Sequence, residues 1–340
     1  MVEVEIRPAV LSAGRVLGLA LALAAGPVQA DDAPPVPPWE APVLATHPLV
    51  GRLWQPGADR AATAREMMEV LAHARFVLLG EKHDNPDHHR LQAWVITELA
   101  RRGRRPAVVF EMLNQGQVPA IARHLEDNPG DATGLGAAVG WRRSGWPDWS
   151  LYRPIAQAAL DAGLAIVAGG IARDGVRALH RDGVAAMPAD RLGGLDLGPP
   201  LAAAAEAALR AQLFESHCGY VAATDLDPMI AVQRARDAVM AATMAAQGAG
   251  AVLITGAGHA GGDYGVPRYL AALGVPVGDV ASLAFVEVEA GLTAPAASQR
   301  LRAGDDSGLF DFIWFTPRVD DADPCEKFAP AFKKRETGKP

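Results

Sequence analysis

Short apolar runs alternate with amphipathic stretches along most of the chain. Each run is four to nine residues long and almost wholly apolar, a pattern typical of strands that are buried on both faces of a sheet. The runs that predict buried strands lie at 76–79, 107–110, 164–168, 251–255, 280–288 and 310–315.

Between these runs, apolar residues recur every three or four positions, which predicts helices. The predicted helices lie at 59–74, 86–102, 115–126, 152–162 and 266–273. The Gly- and Trp-rich stretch 127–150 predicts a packed irregular segment, whose tryptophans either fill the core or line a flat ligand. The segment at about 173–247 is helical throughout and too long for a simple crossover, so we expect a helical insertion that caps the sheet. The alternation as a whole predicts an α/β fold with a mainly parallel central sheet flanked by helices.

The first 30 residues have the pattern of a signal peptide. Arg7 and Arg15 precede the apolar run 16–25, and small residues precede Ala30, where we expect the cut. The run is too short to span a bilayer comfortably, and no cysteine near the cut offers lipid attachment. These features predict an exported protein, periplasmic or secreted.

The rest of the chain divides by composition. Residues 31–48 are rich in Ala and Pro and predict a linker, 49–318 predict the α/β domain, and 319–340 predict a loose tail. A net charge of −7 and a pI near 5.7 argue against a nucleic-acid partner. Cys218 and Cys325 could pair in an oxidising compartment; alternatively, one is a small buried residue and the other a tail thiol.

Candidate chemistry lies where the strands end. Glu81 with His83, Glu111, Gly169 and His259 each follow a predicted strand, and the carboxyl ends of parallel strands meet at one edge of a sheet. Two of these ends share a Gly-x-x-His motif. In both, we expect the glycine to permit a tight turn, and a histidine follows three residues later. These motifs read Gly80-Glu81-Lys82-His83 and Gly256-Ala257-Gly258-His259.

Two imidazoles and two carboxylates suit either a divalent-metal site or an acid–base site. We therefore expect the following residues to act as metal ligands or, in a hydrolase, as catalytic residues: Glu81, His83, Glu111 and His259.

A second set of candidates belongs to the predicted cap and its surroundings. Helical spacing over 229–246 places Gln233 and Asp237 on an apolar stripe with Arg236 beside it, so they either form a structural network or line a pocket, with Arg236 a natural carboxylate partner. An imidazole and a tyrosinate both bind ferric iron, and helix-end packing is the alternative role for such residues. The candidates for cofactor binding are His217, Tyr220, Arg236, Tyr264 and His88.

Taken in chain order, several short motifs resemble the ChaN-like haem-binding family, which is related to the Tiki and erythromycin-esterase-like proteins. The resemblance covers about residues 49–315. The motifs that carry it are Gly80-Glu81-Lys82-His83-Asp84-Asn85 with His88-His89, Phe110-Glu111-Met112, the stretch from Gln233 to Ala241, Gly256-Ala257-Gly258-His259-Ala260, and Tyr264-Gly265-Val266-Pro267.

The resemblance implies an α/β core with a helical cap and a haem-binding role linked to iron uptake. In the ChaN branch, haem is held at a dimer interface by a tyrosine and a histidine, so a homodimer and an outer-membrane haem-uptake receptor are candidate partners. In the Tiki branch, paired Gly-x-x-His motifs with acids resemble a metal-dependent hydrolase site, which matches Glu81, His83, Glu111 and His259 by position.

Three hypotheses follow. The favoured one is an exported haem-binding protein in haem or iron acquisition, with its ligand at the carboxyl edge of the sheet under the helical cap. The alternative is a metal-dependent hydrolase that uses the paired Gly-x-x-His motifs. The third is a partner-binding module whose polar edge is only a hydrogen-bond network.

Overall fold

Parallel strands form the centre of an eight-stranded sheet in the computed structural model, which describes residues 38–183, 197–295, 309–323 and 325–326. The strands are β1 (Leu53–Gln55), β2 (Arg60–Ala62), β3 (Phe76–Glu81), β4 (Ala107–Asn114), β5 (Ile166–Gly170), β6 (Ala251–Gly256), β7 (Val280–Glu287) and β8 (Phe312–Thr316). Their order across the sheet is β2-β1-β8-β7-β3-β6-β4-β5. Strands from β8 to β5 in this order are parallel, and β1 and β2 add an antiparallel edge.

Helices cover both faces of this sheet. They are α1 (Ala64–His73), α2 (Pro86–Arg101), α3 (Val118–Asp127), α4 (Ala132–Ala138), α5 (Trp149–Asp161), α6 (Arg173–Asp182), α7 (Ala203–Ser216), α8 (Ala223–Ala245), α9 (Ala257–Ala260) and α10 (Val266–Ala272). The core on one face comes mainly from α1 to α5, and the core on the other comes mainly from α8 and α10. The predicted α/β class and the mainly parallel sheet are thereby confirmed.

Strand β3 shows why the central runs are apolar without alternation. Val77 and Leu79 pack in the core beneath α1 and α2, whereas Phe76 and Leu78 pack in the core beneath α8 and α10. Side chains alternate across a strand, so a strand covered on both faces has no solvent-facing positions. The continuous apolar runs in the sequence reflect this double coverage.

Some elements differ from the sequence prediction. The predicted helix 59–74 begins only at Ala64, where Thr63 caps it in a reciprocal capping box with Glu66, and its first residues belong to β2. Strands β1 and β2 were not predicted, since each is only three residues long. The stretch predicted to be irregular contains α4 and the start of α5.

The segment predicted as a helical insertion contains α6, α7 and α8. Helix α8 packs directly on β4, β5 and β6, while α6 and α7 pack on α8. Leu209 of α7 and Ile230 of α8 share a small apolar cluster with Tyr264, and Leu179 of α6 packs with Ala235 of α8. The interior of the segment, residues 184–196, lies outside the described residues.

The chain termini were predicted to comprise a signal peptide, a linker and a tail. The predicted signal peptide and the first part of the linker lie outside the described residues. From residue 38 onward the chain packs on the domain: the backbone N–H groups of Glu40 and Ala41 donate to the buried carboxylate of Asp87, at 3.0 and 2.9 Å. At the other end, Cys325 forms a disulfide with Cys218. Within the described ranges, no helix combines the length and apolar character needed to cross a membrane.

Candidate functional site

Strand register brings three strand ends together at the carboxyl edge of the sheet. Glu81 of β3 pairs with Gly256 of β6, and on the other side of β6 the last in-register pair is Phe110 with Ile254. Glu81 is the last residue of β3 and Glu111 lies inside β4, so both acids belong to strands that extend two and four residues beyond their predicted ends. The side chains of Glu81, Glu111 and His259 are all buried at this edge.

The glycines of the two motifs serve close packing and not a left-handed turn. Neither Gly80 nor Gly256 has a positive φ. A Cβ on Gly80 would lie 2.9 Å from the Cα of Ala257, and a Cβ on Gly256 would lie 3.0 Å from Nε2 of His83. Each motif therefore provides the space that the other occupies. The expectation that these glycines permit tight turns is wrong; they permit contact between the two motifs.

His259 lies between two buried carboxylates. Its Nδ1 is 2.5 Å from Oδ1 of Asp237, and its Nε2 is 3.3 Å from Oε1 of Glu111. The amide of Gln233 lies 3.0 Å from Nδ1. Burial lowers the pKa of His259, but the charges of Glu111 and Asp237 outweigh burial and raise it to about 9. The ring is therefore an imidazolium at neutral pH.

Glu111 makes more hydrogen bonds and ion pairs than the other described acids of the site. Its Oε2 accepts hydrogen bonds from the Thr255 hydroxyl at 2.7 Å and from the Gly256 N–H at 3.0 Å, and its Oε1 accepts from the Arg236 guanidinium at 2.8 Å. Burial raises its pKa, but the charges of His259 and Arg236 hold that pKa well below the ordinary value. The structure thus confirms Arg236 as a carboxylate partner.

Asp237 completes this group from helix α8. It is fully buried, and burial raises its pKa to about 6 against the lowering effect of His259. Its Oδ2 has no hydrogen-bond partner among the described residues. The predicted network on the stripe of α8 is present and its centre is His259.

His83 has a different environment. Its Nδ1 lies 3.0 Å from Oε1 of Glu81, while 36% of its side chain remains exposed. Its ring meets Trp146 edge-on, with ring centroids 4.8 Å apart. Burial lowers the pKa of His83, but the hydrogen bond to Glu81 and the charge of Glu111 raise it above the ordinary value. His83 is the histidine of the pair that solvent can reach.

Glu81 is held by two residues that are not among the predicted site residues, Tyr152 and His89. The Tyr152 hydroxyl donates to Oε1 at 3.1 Å, and Nε2 of His89 lies 3.0 Å from Oε2. Burial raises the pKa of Glu81, but His89 and His83 lower it to about 2. His89 lies in the first turn of a helix that starts beside the site, which was a usable signal; Tyr152 is 71 residues from Glu81 and had none.

The predicted metal set does not fit a metal ion. His259 is an imidazolium whose two nitrogens face carboxylates, and metal ligation needs a neutral imidazole. Glu81 and Glu111 are directed at imidazole, hydroxyl, guanidinium and backbone donors. Among the described residues, no group of His, Cys, Asp and Glu side chains has the geometry of a metal site.

Two of the predicted cofactor-binding residues lie in the interior. His88 is fully buried; its Nδ1 accepts from the Lys82 N–H at 2.9 Å and its Nε2 lies 2.8 Å from the Thr316 hydroxyl. Burial lowers its pKa well below the ordinary value, so it stays neutral. Tyr264 is buried and its hydroxyl donates to Gln212 of α7. His88 thus links α2 to β8, and Tyr264 links the chain before α10 to α7.

His217 and Tyr220 lie in the turn between α7 and α8. His217 directs Nδ1 at the Leu213 carbonyl, 2.8 Å away, and the Tyr220 side chain is 44% exposed. The adjacent Cys218 is fixed by the disulfide. Gln212, just over one helical turn before His217, lies against Gly258 of the second Gly-x-x-His motif, so the turn is close to the carboxyl edge.

A cleft of about 390 Å³ opens beside Glu111 at the ends of β4 and β5. Arg236 and Trp146 line it, with the guanidinium carbon 6.0 Å from the indole centroid. Of the three neighbouring tryptophans, Trp141 and Trp149 are buried core residues, so only Trp146 lines this cleft.

Comparisons with known proteins agree with this architecture. Residues 67–270 match the family model described as haem-binding uptake, Tiki superfamily, ChaN. No curated protein sequence matches the chain.

Three solved structures match the chain at low sequence identity, and the first of them shares its fold. The haem-bound ChaN of Campylobacter jejuni is 17% identical, with a TM-score of 0.61, over 77% of this chain and 95% of that one. The type III effector HopBA1 is 13% identical over 78% and 94%, with a TM-score of 0.40. A mutant of the erythromycin esterase EreC is 13% identical over 76% and 94%, with a TM-score of 0.42.

The family match covers more than half of the chain and includes β3 to β6, the helices between them and both Gly-x-x-His motifs. The resemblance noted from the motifs is therefore confirmed. The chain belongs to the ChaN family of haem-binding uptake proteins in the Tiki superfamily.

Proposed function

We propose that the protein is an exported haem carrier in iron acquisition, and that it holds haem at the α7–α8 turn, next to the carboxyl edge of the sheet. The observation that carries this position is the geometry of His217. With Nδ1 directed at the Leu213 carbonyl, the ring proton is on Nδ1 and the lone pair of Nε2 is available to iron.

The surroundings of His217 suit a flat apolar ligand. Tyr220, three residues on, offers a phenol that can bind ferric iron, and Phe214, one turn before, is 45% exposed. Contiguous exposed apolar surface suits a flat ligand, and Phe214 and Tyr220 both contribute exposed rings at this turn. When bound, haem would supply its iron to these side chains, and the chain would supply orientation and an apolar contact.

Two further parts of the proposal rest on different observations. The Cys218–Cys325 disulfide supports export, since disulfides persist in oxidising compartments and are rare in the cytosol. The Campylobacter jejuni ChaN binds haem cofacially, and a second copy of this chain would cover the exposed aromatic side chains of the α7–α8 turn. We therefore propose a homodimer in the haem-bound form that delivers haem to, or receives it from, an outer-membrane receptor.

A hemin titration tests the proposal. We expect a saturable Soret shift at micromolar protein, at least tenfold weaker binding in His217→Ala, and a changed Soret spectrum in Tyr220→Phe. His73→Ala is the matched control, because exposed His73 also directs Nδ1 at the carbonyl four residues before it, at 2.7 Å. Absence of a saturable shift, or equal weakening in His73→Ala, would contradict the proposal.

General-base hydrolysis is the second candidate, favoured by the half-exposed His83 and the buried carboxylate of Glu81 that orients it. In this arrangement Glu81 holds the proton on Nδ1, and Nε2 can take a proton from water. Ester hydrolysis that rises with pH and is lost in His83→Gln, but not in His73→Gln, would support it. Equal rates in both variants would exclude His83 as the base.

A further inference from the structure

The cleft beside Glu111 has a strongly cationic lining. Arg143 lies near the end of the turn after α4, Arg173 begins α6, and Arg236 extends from α8. A cleft of about 390 Å³ lies within the range that small-molecule sites occupy in proteins. Three arginines from three separate elements therefore line a cavity of ligand size.

These cations are only partly compensated. Arg236 pairs with Glu111, whose charge His259 also neutralises. Across the described ranges, Arg143 and Arg173 have no carboxylate within 4.0 Å. The whole chain carries a net charge of −7, so a net positive cleft is a local feature and not a consequence of overall charge.

The walls of the cleft are fixed by their own hydrogen bonds. The Arg173 guanidinium donates to the Ser144 carbonyl at 2.9 Å. Asn114 and Gln117 bond each other at 2.9 Å, and the Gln117 amide also donates to the Val139 carbonyl at 2.9 Å. Because the amide groups are engaged, the arginines are the donors that remain for a ligand. Arg173 is therefore a fixed donor, and fixed donors bind with less loss of conformational entropy than mobile ones.

Guanidinium groups recognise planar and tetrahedral oxyanions through paired hydrogen bonds. We propose that this cleft is an oxyanion-binding site that takes carboxylate or phosphate groups of a small polyanionic ligand, with Arg143 and Arg173 as its main cations. Trp146 forms an apolar wall next to Arg236, which favours an anion with a flat or apolar body. The cleft and the α7–α8 turn have no lining residue in common.

Arg143→Gln is the test variant, because none of the described hydrogen bonds or ion pairs involves the Arg143 side chain and folding is therefore preserved. Arg142→Gln is the matched control, since Arg142 is its exposed neighbour and does not line the cleft. Citrate and inorganic phosphate are the probes, measured by isothermal titration calorimetry at low salt and again at 0.3 M NaCl. Circular dichroism verifies that both variants are folded.

We expect saturable binding of at least one probe, at least tenfold weaker in Arg143→Gln, unchanged in Arg142→Gln, and weaker at high salt because exposed charges are screened. No saturable binding of either probe, or equal losses in the two variants, would overturn the proposal.

A second arm identifies the natural source of the oxyanion. Hemin carries two propionates, and its dimethyl ester carries none. If Arg143→Gln weakens hemin but not the ester, the cleft holds the porphyrin carboxylates; if it weakens neither while citrate or phosphate binding falls, the ligand is a separate small anion. If neither the wild type nor any variant binds hemin, the proposed carrier role is contradicted. The citrate and phosphate results would still test the oxyanion site.

Discussion

Two strand ends share the Gly-x-x-His spacing, but their histidines have opposite environments. His259 is 8% exposed and lies between the carboxylates of Asp237 and Glu111. His83 is 36% exposed, and one carboxylate, Glu81, bonds its ring. The first is a buried cation in a structural network, and the second is an accessible imidazole with a fixed orientation.

The difference comes from neighbours that lie far away in sequence. Asp237 reaches His259 from α8, 22 residues before it, and Glu111 reaches it from β4. His83 is instead bounded by Trp146 and by open solvent. A Gly-x-x-His spacing therefore fixes where a histidine leaves the sheet, while the surrounding elements decide its charge and access.

The two motifs nonetheless form one unit. Gly80 makes room for Ala257, and Gly256 makes room for the ring of His83.

The largest effect is expected from His259→Gln. Removing the imidazolium leaves the buried carboxylate of Asp237 without a cation, while Glu111 keeps only its pair with Arg236. Breaking a buried ion pair costs about 3–5 kcal/mol. Urea unfolding at pH 7 measures the change in the free energy of unfolding. A loss no greater than that of His83→Gln would contradict the assignment of His259 as the central cation.

The pH dependence of stability is the next largest effect. The pKa of His259 is raised from 6.5 to about 9, so its contribution is complete below pH 6.5 and is lost as pH rises through 9. This loss amounts to about 3 kcal/mol if the whole shift is expressed. We expect the decline between pH 6.5 and 9 in the wild type and in His83→Gln, and a flatter profile in His259→Gln.

Urea midpoints at intervals of half a pH unit would measure these three profiles. His259→Gln and His83→Gln carry the same chemical change, since each replaces an imidazole by an amide. A decline of equal size in His259→Gln would show that another group titrates in this range.

Tyr152→Phe tests the first motif with a smaller expected effect. The change removes the hydroxyl that donates to Glu81 at 3.1 Å while keeping the buried ring. Because the acceptor is a buried charged group, the loss is about 2 kcal/mol. His83 and His89 still face the carboxylate. Thermal unfolding measures the change, and Tyr269→Phe, whose hydroxyl bonds Arg234 outside this motif, is the control. No loss relative to that control would mean that the hydroxyl does not support Glu81.

The sequence predicted which strand ends carry the site better than it predicted the partners of each side chain. The apolar runs located β3, β4 and β6, and parallel connection then placed Glu81, Glu111 and His259 at one edge. These inferences succeeded because strand burial and parallel order leave a direct mark on local composition.

The partners of these side chains have weaker signals in the sequence. Helical spacing placed Asp237 on the buried stripe of α8, but nothing local linked it to His259. Tyr152 and the arginines of the cleft come from elements whose approach depends on how the chain packs. Two histidines and two acids have the composition of a metal site, whereas in the structure Asp237 and Arg236 are partners of His259 and Glu111.

Chemical modification gives the smallest but most local distinction between the two histidines. Diethylpyrocarbonate reacts with accessible, unprotonated imidazoles. We expect His83 to be modified, and its reaction to rise with pH above 6.5 because its pKa is raised. His259 should stay unmodified below pH 9, since it is buried and protonated. Peptide mass spectrometry with exposed His73 as internal reference measures both rates. Modification of His259 at a rate near that of His83 would mean that the α8 side of the site opens to solvent, and the contrast between the two motifs would then be one of dynamics and not of charge.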